Sequence, residues 1–266
     1  MKKIILCADD YGQSAAISAG IMKLVAQGRL SAVSCLSEGD FWLSADNTLL
    51  TYRDRIDIGL HFNLTHAFPA QAILARPLAA ILRAVLSGRC DRNAIATALH
   101  AQLDRFETFA GQAPDFIDGH QHVHVLPAIR SVVIMELAQR YSDRKPYLRA
   151  VNPHLPGHGG FIKLAILKLL GLGFSEFTQR HGMQTNRGFA GIYSLQPQAN
   201  FSALMQNWIA AARTGDLLMC HPGCADNDIS DPIAATRPHE LALLQSAEFG
   251  ALLDRNNVRL SRFRDL

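Results

Sequence analysis

Two acidic residues stand side by side at Asp9-Asp10, directly after the apolar run Lys3-Ile4-Ile5-Leu6-Cys7-Ala8. Buried next to a core strand, a carboxylate is costly unless it meets a cation or a donor. One of the pair could cap the helix that follows, which leaves the other unexplained. A carboxylate on a metal with a neighbouring carboxylate as general base accounts for both. A second polar site follows Ile58-Gly59-Leu60 at His61-Phe62-Asn63-Leu64-Thr65, where alternation places His61, Asn63 and Thr65 on one face. The densest signal is Phe116-Ile117-Asp118-Gly119-His120-Gln121-His122-Val123-His124, which holds three of the eleven histidines. Imidazole is the commonest metal ligand. Read as one strand, the segment puts Asp118, His120, His122 and His124 on one side. Alternate strand residues are roughly 6.5 Å apart, so one or two of the three would ligate and the rest would touch substrate or support the ligands. The last element is Leu217-Leu218-Met219-Cys220-His221-Pro222, an apolar strand that delivers a histidine at its end.

These residues need a scaffold that brings strand ends together. Continuous apolar runs at 3–8, 32–36, 56–64, 116–125, 147–151, 216–221 and 258–263 read as strands buried on both faces. Between them lie helical patterns, among them Ile17, Ile21, Leu24 and Val25 before Gly28, and Leu99, Leu103 and Phe106 within 94–110. Residues 128–141 and 238–253 also read as helices. About seven parallel strands alternating with helices predict an α/β fold, a distorted (β/α) barrel with an open doubly wound sheet as competitor. The chain is expected to form one domain over 1–266, with inserts at about 66–93 and 152–200 that shape a pocket. A short helix at 78–86 and a very apolar one at 161–172 fall inside them.

Composition narrows the function classes. The 266 residues are 48 % hydrophobic and 18 % charged with a formal net charge of +3, an ordinary globular balance. The basic residues form no stripe of the kind that marks a nucleic-acid binder. The run Arg255, Arg259, Arg262 and Arg264 reads as a solvated last strand. The apolar stretch 4–8 is too short for a secretory signal and is followed by two acids. No run of 18 apolar residues offers a membrane span. Five dispersed cysteines suit reduced thiols, so a cytoplasmic location is expected, with a homodimer as the default assembly.

Taken in order, Ala8-Asp9-Asp10-Tyr11-Gly12, Gly59-Leu60-His61-Phe62-Asn63-Leu64-Thr65, Ile117-Asp118-Gly119-His120-Gln121-His122-Val123-His124 and Met219-Cys220-His221-Pro222 resemble the motifs of the YdjC-type carbohydrate deacetylases. That family includes chitooligosaccharide deacetylases and deacetylases associated with hopanoid synthesis. The resemblance spans nearly the whole chain. It implies a barrel related to the polysaccharide deacetylases and metal-dependent removal of acetyl groups from N-acetylated sugars. By the same resemblance, Asp10, His61 and His120 are metal ligands, Asp9 the catalytic base and protonated His221 the acid. Arg149 resembles an arginine of the broader deacetylases that orients the base. His122, His124 and Asn63 are expected to touch substrate or support the ligands. Tyr11 stands where the family usually has Phe, away from the chemistry. One divalent ion is implied, zinc or magnesium. The substrate is expected to be a chitooligosaccharide or a lipid-linked amino sugar. A metal-dependent phosphoesterase on the same barrel and a non-catalytic sugar-binding relative are the alternatives.

Overall fold

In the computed structural model, which describes residues 1–43, 48–68, 75–152, 169, 171–226 and 231–266, the chain is built on a parallel sheet. Its strands are β1 (Lys2–Tyr11), β2 (Ala32–Cys35), β3 (Asp57–Phe62), β4 (Phe116–Gly119), β5 (Tyr147–Leu148), β6 (Phe189–Ala190), β7 (Leu217–Cys220) and β8 (Val258–Leu260). Seven of them lie in the order β5-β4-β3-β2-β1-β7-β6, and β8 pairs with the start of β1. The path curls into a half-barrel whose ends, β5 and β6, do not form a ladder. The seam is spanned by Asn186, which accepts from Ala150 N–H at 2.7 Å and donates to Ala150 O at 3.0 Å.

The expected seven strands are thus present in the curled path, with one exchange of membership. Phe189–Ala190 lies in the stretch read as an insert, yet it pairs with β7 at the sheet edge. Two residues are too few to show an apolar period, so the sequence could not mark it. The last strand lies off the path. The helix expected over 238–253 is two helices, Arg237–Gln245 and Ala247–Arg255, because Ser246 turns extended at ψ 156 and caps the second through Phe249 N–H. The predicted helix at Leu78–Leu86 is present. The apolar segment 161–172 lies almost entirely outside the described residues.

Apolar side chains explain the sheet's burial. Every residue of β2, β3, β4 and β7 is buried, as continuous hydrophobic strands between helices should be. The helix Ala15–Ala26 lays Ile17, Ile21, Leu24 and Val25 on the sheet, as its period predicts, and Ser14 caps it. Capping by Ser14 removes that role from Asp9 and Asp10.

The floor of the barrel, at the strands' N-terminal ends, is closed by the chain's last turn. Phe263 stacks on Tyr147 at 4.0 Å, and Tyr147 on Phe116 at 5.1 Å. Arg264 pairs with Asp57 at 3.3 Å and with Asp115. Arg264 lies past the last strand and remains partly exposed, as its charge run suggested, but it is tied to two buried carboxylates, which that run did not suggest. Burial pushes Asp57 up to about 6, with Asp115 adding to the rise and the Phe263 N–H and Arg264 opposing it. The folded state then holds a proton that the unfolded chain releases near pH 4, so this contribution is full below about pH 4 and is lost as pH rises to 6. Urea unfolding is expected to show wild type losing stability relative to Asp57→Asn, whose neutral amide stands in for the protonated carboxyl, as pH rises from 4 to 7. A wild type that gains on the variant over that range would contradict the assignment.

Candidate active site

All the predicted site residues that come from strands sit at or just past the C-terminal ends, the pole where barrels of this kind carry their chemistry. Asp9 and Asp10 end β1. In a regular strand they would point to opposite faces. Here the β1–β2 register shifts between Ala8 and Tyr11, and Asp10 has a left-handed backbone with φ 72. Asp tolerates that region better than most residues, and both carboxylates end up buried in the site, at 1 % and 2 % exposure.

The histidine cluster departs from the one-strand reading. β4 stops at Gly119, and Gln121 and His122 adopt φ values of 53 and 61. The chain folds back so tightly that a Cβ on Gly119 would lie 3.0 Å from His124 Nδ1. The three imidazoles therefore diverge instead of sharing a face. His120 Nδ1 lies 3.2 Å from Asp10 Oδ1. His124 is fully buried, with Nε2 2.8 Å from Arg149 O, and burial pushes it down to about 4. His122 stands edge-on to Phe189.

His61, from the end of β3, completes a group with Asp10 and His120. One ligand atom from each of the three lies within 4.8 Å of the others. His61 Nε2 is 3.4 Å from Asp10 Oδ1, while Nδ1 is 2.6 Å from Asp118 Oδ1 and 3.0 Å from Ser34 Oγ. A carboxylate behind Nδ1 orients the ring and leaves Nε2 facing Asp10, the support that metal-bound histidines commonly have. Burial works against charge on His61, but Asp118 and Asp10 push it up to about 10. Burial also opposes charge on Asp10, and Arg237 with the two histidines outweighs it, holding the carboxyl well below its usual range. One oxygen and two nitrogens converging in this way fit a divalent cation.

Beside this group lies a second cluster, Cys7, Asp9 and Asp118. Arg149, fully buried just past β5, already occupies it. Its Nη1 and Nη2 donate to the two oxygens of Asp9 at 2.7 Å each, and Nη2 lies 2.5 Å from Asp118 Oδ2 and 3.0 Å from Cys7 Sγ. With a guanidinium at its centre, this cluster does not fit a cation. Burial disfavours charge on Arg149, yet Asp118 and Asp9 raise it well above its ordinary value.

His221 follows β7. Its backbone N–H donates to Glu240 Oε2 at 2.6 Å, and its Nδ1 is buried with no partner among the described residues. Burial pushes the imidazole down to about 4 against the pull of Asp10 and Asp9. Burial thus favours the neutral ring at rest. Asn63 works as a loop staple: Oδ1 accepts from the N–H groups of Thr65 and His66, and Nδ2 donates to His66 O and Glu38.

Several site residues escaped the sequence reading. Ser34 and Asp118 support His61; Asp118 was grouped with the histidines but given no role. His66 comes to 6.1 Å from the His120 ring. Arg237 and Glu240 share one face of a helix start; Glu240 is fully buried between His221 N–H and the Tyr193 hydroxyl, and burial pushes it up to about 7. The i, i+3 spacing of Arg237 and Glu240 was legible, but nothing in it pointed to β1.

Comparison with known proteins agrees with this architecture. The chain is 27 % identical to a human carbohydrate deacetylase, covering 99 % of this chain and 91 % of that one. It is also 27 % identical to a chitooligosaccharide deacetylase of Yersinia pestis, covering 99 % of each. Among solved structures, a protein of Enterococcus faecalis described as a cellobiose-phosphate cleavage protein superposes with a TM-score of 0.76 at 18 % identity, over 99 % of this chain and 98 % of that one. A peptidoglycan N-acetylglucosamine deacetylase superposes at 0.53 with 10 % identity, over 99 % and 86 %. The two structures share the fold. Residues 3–255 match the family model described as YdjC-like protein, and with nearly the whole length matched the chain belongs to the YdjC-like family.

Proposed function

We propose that the protein is a metal-dependent hydrolase that removes the acetyl group from an N-acetylated sugar. The observation that carries this reading is the pairing of two neighbouring arrangements at the strand ends: Asp10, His61 and His120 converge, and Asp9 beside them is clamped by Arg149. The names of the curated relatives point to the same reaction. Asp10, His61 and His120 would hold one divalent ion, zinc or magnesium. Bound there, the ion supplies Lewis-acid polarisation of the acetyl carbonyl and makes water a better nucleophile.

Asp9 takes the proton from the attacking water. Arg149 fixes both oxygens of that carboxylate, so its orientation is set before substrate arrives. The amide nitrogen must gain a proton to leave as an amine. His221, neutral at rest, takes up a proton from solvent and passes it to that nitrogen, while the proton on Asp9 returns to solvent as the products leave. Glu240 holds the backbone N–H of His221.

A phosphoesterase with two metals 3.5–4 Å apart needs a second ligand set. The neighbouring Cys7, Asp9 and Asp118 cluster is filled by Arg149, which favours the one-ion deacetylase. Acetate release from diacetylchitobiose by metal-stripped protein, reloaded with zinc, magnesium or cobalt, tests the reading. Metal-restored acetate is expected. Phosphate-ester hydrolysis with no acetate release from N-acetylated sugars would overturn it.

A further inference from the structure

Arg237 opens the helix Arg237–Gln245, is 2 % exposed, and bridges two carboxylates. Its Nη2 donates to Asp10 Oδ2 at 2.8 Å and its Nε to Asp231 Oδ2 at 2.6 Å. The turn after His221-Pro222 presses against its side chain: a Cβ on Gly223 would come within 3.1 Å of Arg237 Cδ. The guanidinium is thus held by Asp231, and its aliphatic stem runs against a glycine that leaves room for it. Asp10 is divided between two tasks. Its Oδ2 belongs to Arg237, and its Oδ1 is the oxygen that faces His61 Nε2 at 3.4 Å and His120 Nδ1 at 3.2 Å.

We propose that Arg237, anchored by Asp231, is a positioning residue that restricts Asp10 to one ligating oxygen and offsets its charge, so that the site holds a divalent cation more weakly and more reactively. The inference rests on the metal-hydrolase reading above. A carboxylate paired with a guanidinium attracts a cation less, because the nearby positive charge subtracts from its field. It also donates less electron density, leaving more charge on the ion to polarise a carbonyl. With Oδ2 engaged, the carboxylate has a single oxygen to offer. A residue that merely holds the helix in place would have neither effect.

The test is calorimetric titration of Co²⁺ into metal-stripped wild type, Arg237→Gln and Asp231→Asn, with visible spectra of the Co²⁺ forms and turnover alongside. Arg237→Gln is expected to bind Co²⁺ about tenfold tighter or more, with weaker visible absorption as Oδ2 joins the ligands, and with lower kcat. Asp231→Asn, which keeps the guanidinium but loosens it, is expected to move the same way by less, and it carries the test if the Gln variant does not fold. Affinity and turnover moving in opposite directions is the signature. Equal or weaker Co²⁺ binding in the variants, with wild type binding normally, would overturn this inference alone. A wild-type chain that binds no divalent ion would overturn it together with the metal-hydrolase reading.

Discussion

Asp9→Asn is expected to lower acetate release by ~10²–10⁴-fold, the usual contribution of a general base, while divalent-ion binding is unchanged. The amide is nearly isosteric but cannot accept a proton from water. Asp9 is not among the three groups that converge on one another, so the ligand set survives the change. Arg149 keeps Asp118 as an anionic partner, and the buried guanidinium is not left bare. The measurement is kcat with and without added metal, beside a Co²⁺ titration of the same preparation. Wild-type turnover in the variant would remove Asp9 as the base. Loss of metal binding together with turnover would move Asp9 among the ligands.

Arg149→Met is expected to destabilise the fold by about 3–5 kcal/mol, the cost typical of removing one partner of a buried ion pair. Both Asp9 and Asp118 are almost fully buried and share this one guanidinium. Methionine fills much of the volume and supplies no charge, so Asp9 loses its cation and Asp118 is left with His61 alone. The reading is denaturant unfolding at pH 7, compared with Arg149→Met/Asp9→Asn. The double variant is expected to recover part of the loss, because one of the orphaned charges is gone. A loss below about 1 kcal/mol in the single variant would show that the carboxylates do not depend on Arg149.

The chemistry-bearing residues were legible in the sequence because each stands at the end of an apolar run. Asp9, Asp10, His61 and His221 follow runs too hydrophobic to be anything but buried strands, and the fold class follows from those runs alternating with helical patterns. The resemblance of four ordered motifs to one family reached the same residues by another route. Arg149 could be placed past a short strand, but its complete burial and its grip on both oxygens of Asp9 could not. The partition of the three clustered histidines was also out of reach. Alternation is a property of extended backbone, and two left-handed residues at Gln121 and His122 abolish it. No spacing rule announces such a pair in a segment without glycine between them.

What the sequence by itself determined is the list of groups available at one pole of a parallel sheet and the kind of reaction they suit. The tertiary structure alone decided which atoms meet. Arg237 reaches Asp10 across 227 positions, and β6 joins the sheet with two residues. Contacts of that kind depend on how the sheet curls and where helices dock, and those are set by packing of the whole core, not by local pattern. The same holds for His221: burial at its particular depth pushes toward the neutral form a ring whose type alone allowed either charge.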